Sequence, residues 1–333
     1  MTGVLAGRTA WLITDGKIGM DVQVKGVADA LGLDYQLKHV SPRQPFRMLS
    51  PYGPVDPRER LGQPNTPFAP PYPSILIATG RLSIPYFRAV FRKAGIGTFG
   101  VVLQDPKTGP RTADVIWVPE HDKRRGPNVF TTLTAPHSFT QARFAELRQH
   151  MPEAIAALPA PRVALILGGP SGNHVFDDKA IARLAASIAS LAPYAGSFLI
   201  SVSRRTPPAM LTAVKAAADR PSLVWGGTGK NPYPDFLAHA DLFVVTGDSV
   251  NMTGEACATG RPVYVFDPGP GSAKFARFHA ALRRHGATRE LPETLSRIEH
   301  WTYPPLDSAS DIAAEIERRW LARLALVPGR VQT

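Results

Sequence analysis

Short, continuous apolar runs recur along the whole chain, separated by stretches with helical spacing. In the first half, Trp11–Thr14, Ser74–Thr79, Thr98–Leu103, Asp114–Val118 and Asn128–Thr132 read as strands. In the second half, Val163–Leu167, Phe198–Val202, Leu223–Trp225, Leu242–Val245 and Val263–Phe266 do the same. Apolar residues at three- and four-residue spacing predict helices from about Val22, over Ile181–Leu191, over 249–259 and over Ser308–Leu326. Strands that alternate with helices predict an α/β chain built on parallel sheets.

A helical pattern over Phe139–Ala157 stops at Leu158-Pro159-Ala160-Pro161, and a strand follows. The predicted domains are therefore 1–158 and 162–305, with a C-terminal helix in 306–333 packing back onto the first. Residues 42–73 hold ten prolines, a density that excludes regular structure there. This segment reads as a surface loop, or as a mobile loop whose Arg43, Phe46, Arg47 and Met48 meet a membrane or an acceptor.

The richest stretch is 242–266. An apolar strand ends in Thr246-Gly247-Asp248-Ser249, a short helix follows to Gly260, and a second apolar strand begins after Arg261-Pro262. This is the outline of a parallel βαβ unit whose helix start favours an anion. Asp248, Met252 and Glu255 fall three or four residues apart, so one helix face is expected to carry them. A carboxylate one turn inside such a helix suits a ribose diol while the helix start holds phosphate. An ordinary βαβ unit with a polar cap is the plainer alternative.

Three further strands in the second half also end in polar turns. Val163–Leu167 runs into Gly168-Gly169-Pro170-Ser171-Gly172-Asn173, which is neither a dinucleotide fingerprint nor a P-loop. Phe198–Val202 runs into Ser203-Arg204-Arg205-Thr206, and Leu223–Trp225 into a Gly-rich turn ending Lys230-Asn231. Ligands of open α/β sheets collect at the carboxyl ends of strands. Four such turns together predict a binding site.

In the first half, Thr14-Asp15-Gly16-Lys17 follows the first strand, and Asp15 reads as a general base or as a helix cap. Pro119-Glu120-His121-Asp122 places His121 between two carboxylates, as a tuned acid or base or as a salt-bridged loop histidine. No histidine cluster contains cysteine, so no metal site is expected.

The chain has 333 residues and a formal charge of +11. Residues 1–150 carry 19 Lys and Arg against 11 Asp and Glu, and the remainder 19 against 16, so +8 of the excess lies in the first half. Such a field suits anionic membranes or phosphorylated substrates. Nucleic acid is not an expected partner, because the chain has no zinc spacing, RNA-binding aromatic motif or long basic run. The lone Cys257 points to a reducing compartment. No run approaches the roughly 20 residues of a membrane span.

Taken together, Thr14-Asp15-Gly16-Lys17, Pro119-Glu120-His121-Asp122, Arg125-Gly126-Pro127-Asn128, Gly168-Gly169-Pro170, Ser203-Arg204-Arg205-Thr206 and Thr246-Gly247-Asp248-Ser249 resemble the mitochondrial fission protein family of plants and its bacterial homologues. The resemblance implies a GT-B glycosyltransferase-like fold, two Rossmann-like domains facing a cleft, with the nucleotide sugar on the second. Its second domain is similar to that of the glucosaminyltransferase that completes lipid II. That similarity places Gly168, Gly169, Ser171, Ser249, Met252, Thr253 and Glu255 around a nucleotide. Pro170 stands where that enzyme has Ser.

The expected function is a metal-independent glycosyltransferase using a UDP- or other nucleotide-diphosphate sugar, with no cofactor. Its expected acceptor is a lipid-linked or cell-envelope glycan. The expected site comprises Asp15 and His121 for catalysis. For the donor it comprises Gly168, Gly169, Ser171, Asn173, Ser203, Arg204, Lys230, Asn231, Thr246, Asp248, Ser249, Met252, Thr253 and Glu255. The expected location is cytoplasmic, peripheral on the inner membrane face. The alternatives are an inactive scaffold of the same fold at a membrane surface and a nucleotide-sugar epimerase.

Overall fold

Strands that are apolar throughout must be covered on both faces, and here helices cover them. The computed structural model describes residues 3–269 and 271–326, which group into two compact units. One holds the residues up to Ser138 together with those from Ser308; the other is Phe139–Asp307.

The first unit contains β1 (Thr9–Thr14), α1 (Ile18–Ala30), β2 (Asp34–His39), α2 (Phe46–Leu49), β3 (Ile75–Thr79), α3 (Ile84–Ala94), β4 (Phe99–Leu103), β5 (Val115–Pro119) and β6 (Val129–Thr132). These strands form one parallel sheet in the order β2-β1-β3-β4-β5-β6. The direction of chain travel across the sheet reverses between β1 and β3, and this is its switch point. The strand β2 was not expected. It is an edge strand whose residues are at most half-buried, so its sequence lacks an apolar run.

The second unit opens with α4 (Gln141–Gln149) and α5 (Glu153–Ala156). It continues with β7 (Arg162–Leu167), α6 (Asp178–Leu191), β8 (Ser197–Val202), α7 (Pro208–Ala217), β9 (Ser222–Trp225), α8 (Tyr233–His239), β10 (Leu242–Thr246), α9 (Val250–Cys257), β11 (Val263–Phe266), α10 (Ala273–His285) and β12 (Thr288–Glu290). Its parallel sheet has the order β12-β11-β10-β7-β8-β9. Counted within the unit this is 6-5-4-1-2-3, the doubly wound nucleotide-binding order, and its switch point lies between β7 and β10. The three-residue edge strand β12 was also not expected.

The units divide at residue 138, not at the proline break near 158. Helix α4 belongs to the second unit because its side chains tie it there. Gln141 Nε2 donates to Ala258 O at 2.7 Å, and Arg148 Nε donates to Ala238 O at 3.1 Å. A proline break ends a helix without ending the packing around it.

Helix α11 (Ser308–Ala325) returns the chain to the first unit. It buries Ile312, Ile316 and Trp320 in the core that holds Leu12, Val27 and Phe99. Each fully buried side chain of this size contributes about 1.5–3 kcal/mol. Arg323 pairs with Asp114 at 2.9 Å, and Thr134 and Ser308 share a hydrogen bond of 2.6 Å.

The proline-rich segment departs from the loop expected. It contains the short helix α2 and a 3-10 turn at Pro57–Glu59. Phe68 is buried against Trp11 and Tyr86. Arg43 pairs with Asp56, and the Tyr86 hydroxyl donates to Glu59 at 2.8 Å. Tertiary anchors therefore hold a segment whose local sequence cannot form long regular elements. Among the described residues no helix is long and apolar enough to cross a membrane.

Candidate functional site

The β7–β10 switch point is bound together by the protein's own polar groups. The turn after β7 donates twice to the turn after β10. Gly168 N–H reaches Thr246 Oγ1 at 2.7 Å, and Gly169 N–H reaches Asp248 Oδ2 at 3.1 Å. Thr246 Oγ1 donates in turn to Asp248 Oδ1 at 2.7 Å. The Asp248 side chain is fully buried and pairs with the Arg205 guanidinium at 2.8 Å. Arg205 also donates to the carbonyls of Gly169 and Pro170, at 2.7 and 3.0 Å. Thr206 Oγ1 donates to the carbonyls of Leu167 and Gly168.

This network explains both glycines. A Cβ on Gly168 would lie 2.1 Å from Asp248 Oδ1, and one on Gly169 would lie 2.0 Å from Arg205 O. It also changes the reading of the turn. Gly168 and Gly169 were expected around a nucleotide, and their amides are already taken by Thr246 and Asp248. Asp248 was expected on one helix face with Met252 and Glu255. It lies before α9 and turns back to the β7 turn, because Ser249 is the N-cap.

Ser249 Oγ accepts from Met252 N–H at 3.3 Å, and Thr253 Oγ1 donates to Ser249 O at 2.9 Å. The other amides of the first turn have no acceptor within the helix. Glu255, on the same face as Met252, is half-buried, and the Tyr233 hydroxyl donates to its Oε2 at 2.6 Å. Burial raises the Glu255 carboxyl to about 7, and the Tyr233 hydrogen bond opposes part of that shift. Burial and the neighbouring Glu255 raise the Tyr233 hydroxyl, which therefore remains a donor. Asn231 Oδ1 accepts from Tyr233 N–H at 3.0 Å and so holds the start of α8.

The remaining donor-side residues are spread more loosely. Ser171 and His174 bridge through their backbones, and Asn173 N–H donates to Ser171 Oγ at 3.2 Å. Ser203 Oγ accepts from Arg205 N–H at 3.2 Å. Arg204 is exposed and makes no ion pair among the described residues; its neighbour Arg205 is the one in the network. Lys230 lines a separate cavity of about 290 Å³ beside Trp225 and Phe236. Arg205, Thr206 and Tyr233 were not singled out beforehand. The motif Ser203-Arg204-Arg205-Thr206 contained the first two, but only the tertiary structure separates one arginine from the other.

In the first unit, the turns after β1, β3 and β4 surround a cavity of about 380 Å³ lined in part by Asp15, Lys17, Arg47, Arg81, Gln104 and Lys107. The Asp15 side chain is 5% exposed, and Lys17 Nζ donates to it at 2.5 Å. Gly80, with φ of +87°, passes closely enough that a Cβ would lie 3.8 Å from the Asp15 carboxylate. His121 is buried after β5 and does not line this cavity. Three strand spacings separate β1 from β5, roughly 14 Å. Asp15 and His121 are thus not brought together. Among the described residues no group of three or more His, Cys, Asp or Glu is placed to hold a metal ion.

Residues 18–320 match the family described as mitochondrial fission ELM1. The mitochondrial fission protein ELM1 of Arabidopsis thaliana is 31% identical over 276 residues, which are 75% of this chain and 65% of that protein. The chain therefore spans slightly less than two thirds of that relative's length. Among solved structures, the UDP-GlcNAc 2-epimerase of Methanocaldococcus jannaschii is similar with a TM-score of 0.53 and 12% identity, covering 93% of this chain and 99% of that one. Arabidopsis thaliana UGT89C1, solved with quercetin, is similar with a TM-score of 0.50 and 10% identity, covering 96% and 93%. These likenesses are of fold, the GT-B-like fold of glycosyltransferases and UDP-GlcNAc epimerases.

Proposed function

The chain belongs to the mitochondrial fission ELM1 family, and from that premise we propose that it is a metal-independent glycosyltransferase using a nucleotide-diphosphate sugar. The observation that carries the reading is Glu255. It is a half-buried carboxylate, one turn into the helix that leaves the β7–β10 switch point, and Tyr233 holds it in place. Its oxygens suit the two hydroxyls of a ribose, and the open amides at the start of α9 suit the diphosphate. Arg205 is fixed by Asp248, with the side chain 41% exposed, and adds positive charge where the diphosphate departs.

On the first unit, the Asp15 cavity is the acceptor site in this reading. The acceptor hydroxyl attacks the anomeric carbon, its proton passes to a general base, and the bond from that carbon to the diphosphate breaks with both electrons leaving on the nucleotide. The acceptor is lipid-linked or a cell-envelope glycan, and the protein works peripherally at the cytoplasmic membrane face.

A second reading is a scaffold of the same fold, without catalysis, at a membrane surface. The prior occupation of the Gly168 and Gly169 amides favours it. Calorimetry with nucleoside diphosphates separates the two. The transferase reading expects binding that Glu255→Ala weakens by about 1–3 kcal/mol, the range for a lost charged hydrogen bond. It also expects turnover that persists in excess chelator. Absence of nucleotide binding would leave the scaffold.

A further inference from the structure

One cavity of the first unit has no part in the scheme above. It measures about 520 Å³ and lies along the C-terminal half of α3. Arg88, Phe91 and Arg92 line it from the helix, and Thr108, Arg111 and Thr112 line it from the segment between β4 and β5. No carboxylate is among its lining residues.

The three arginines differ in how they are satisfied. Arg88 is half-buried and reaches the carbonyls of Pro51 and Tyr52 at 3.4 and 3.3 Å, both long contacts. Arg92 and Arg111 are exposed and make no ion pair among the described residues. Arg92 has a local reason to be there, since the last turn of a helix favours a cation. Arg111 comes from another segment, the 3-10 turn Pro110–Thr112, whose three residues are too few for a helix dipole to hold it there. Like charges that line one cavity repel one another, and no carboxylate among the lining residues offsets them.

Guanidinium groups present paired donors that match phosphate oxygens. The Phe91 ring is fixed by stacking on Phe87 at 5.5 Å, which gives the cavity one rigid apolar wall. Its volume is that of a small-molecule site, larger than an inorganic ion needs. We infer that this cavity binds a phosphate group carried on an organic body, with the phosphate on Arg88, Arg92 and Arg111 and the body against Phe91. Two sources share this chemistry, a soluble phosphate ester and a phospholipid headgroup. The exposed side chains of Tyr52 and Ile96, from segments that adjoin the cavity residues, suit the lipid source.

The test uses the full chain and two probes, glycerol 3-phosphate in calorimetry and vesicles of phosphatidate with phosphatidylcholine in co-sedimentation. Arg92→Gln with Arg111→Gln changes only exposed side chains, so an unchanged thermal midpoint is the control for folding. The double variant should lose about tenfold or more in affinity for whichever probe binds, the equivalent of losing one charged hydrogen bond. Binding of glycerol 3-phosphate alone assigns a soluble ligand. Binding of phosphatidate vesicles, but not of pure phosphatidylcholine vesicles, assigns a headgroup. Failure of both probes to bind wild type, or equal binding by the double variant, overturns the inference.

Discussion

The two units carry their candidate groups at corresponding places, the carboxyl ends of strands at a switch point, and fill those places in opposite ways. Outside β1 and β3 there is open space of about 380 Å³, and Asp15 is held there by a lysine that is itself 71% exposed. Outside β7 and β10 the protein fills its own site. Thr246, Asp248 and Arg205 occupy the backbone groups that the glycine turn offers. Strand order tells where polar turns converge. Whether their amides remain for a ligand depends on which side chains the neighbouring strand delivers.

Of the changes that test this contrast, the largest effect belongs to Asp248→Ala. The substitution leaves the Arg205 guanidinium, the Gly169 amide and the Thr246 hydroxyl without their shared acceptor. Removing one partner of a buried pair costs about 3–5 kcal/mol, and the exposure of Arg205 sets the expectation near the lower end, about 3 kcal/mol. Urea unfolding measures it. A loss below about 1 kcal/mol would mean that the network does not organise the turn.

A middle-sized effect is expected from Glu255. Its folded carboxyl titrates at about 7, above the ordinary 4.5, so the folded state holds the proton more tightly than the unfolded state. Stability from this group is complete below about pH 4.5 and is lost as pH rises toward 7. The expected fall is about 1–3 kcal/mol, and Glu255→Gln should flatten it. Nucleotide affinity should move the other way and rise through pH 7, because ribose hydroxyls donate to the ionised form. A variant with the wild-type slope would remove Glu255 as its source.

The smallest effect belongs to Asp15→Ala. A carboxylate paired with an exposed lysine contributes less than about 1 kcal/mol, so chemical denaturation should scarcely change. A loss equal to that of Asp248→Ala would erase the contrast between the sites.

How much of this was readable beforehand follows from where the information resides. The central strands announce themselves, since Ile75–Thr79 and Val115–Pro119 are apolar at every position. The edge strands Asp34–His39 and Thr288–Glu290 do not, because one side of an edge is open and polar residues are tolerated there. The glycine turn and the polar turn ending in Ser249 were visible as local patterns. The partners of the turn were not, because Thr246 and Asp248 lie 78 and 79 residues away along the chain. Tyr233 stayed hidden for the same reason, 22 residues before the carboxylate it holds. Local sequence carries caps and turns; only the sheet order says which of them meet.

The return of α11 to the first unit has a temporal consequence. The second unit is one uninterrupted stretch of 169 residues, from 139 through 307, placed inside the sequence of the first. During synthesis at roughly 5–20 residues per second, about 10–30 seconds separate Ser138 from the first residue of α11. Throughout that interval the core around Leu12, Val27 and Phe99 lacks Ile312, Ile316 and Trp320. The first unit therefore starts before the second and is closed only after it, when α11 has been synthesised.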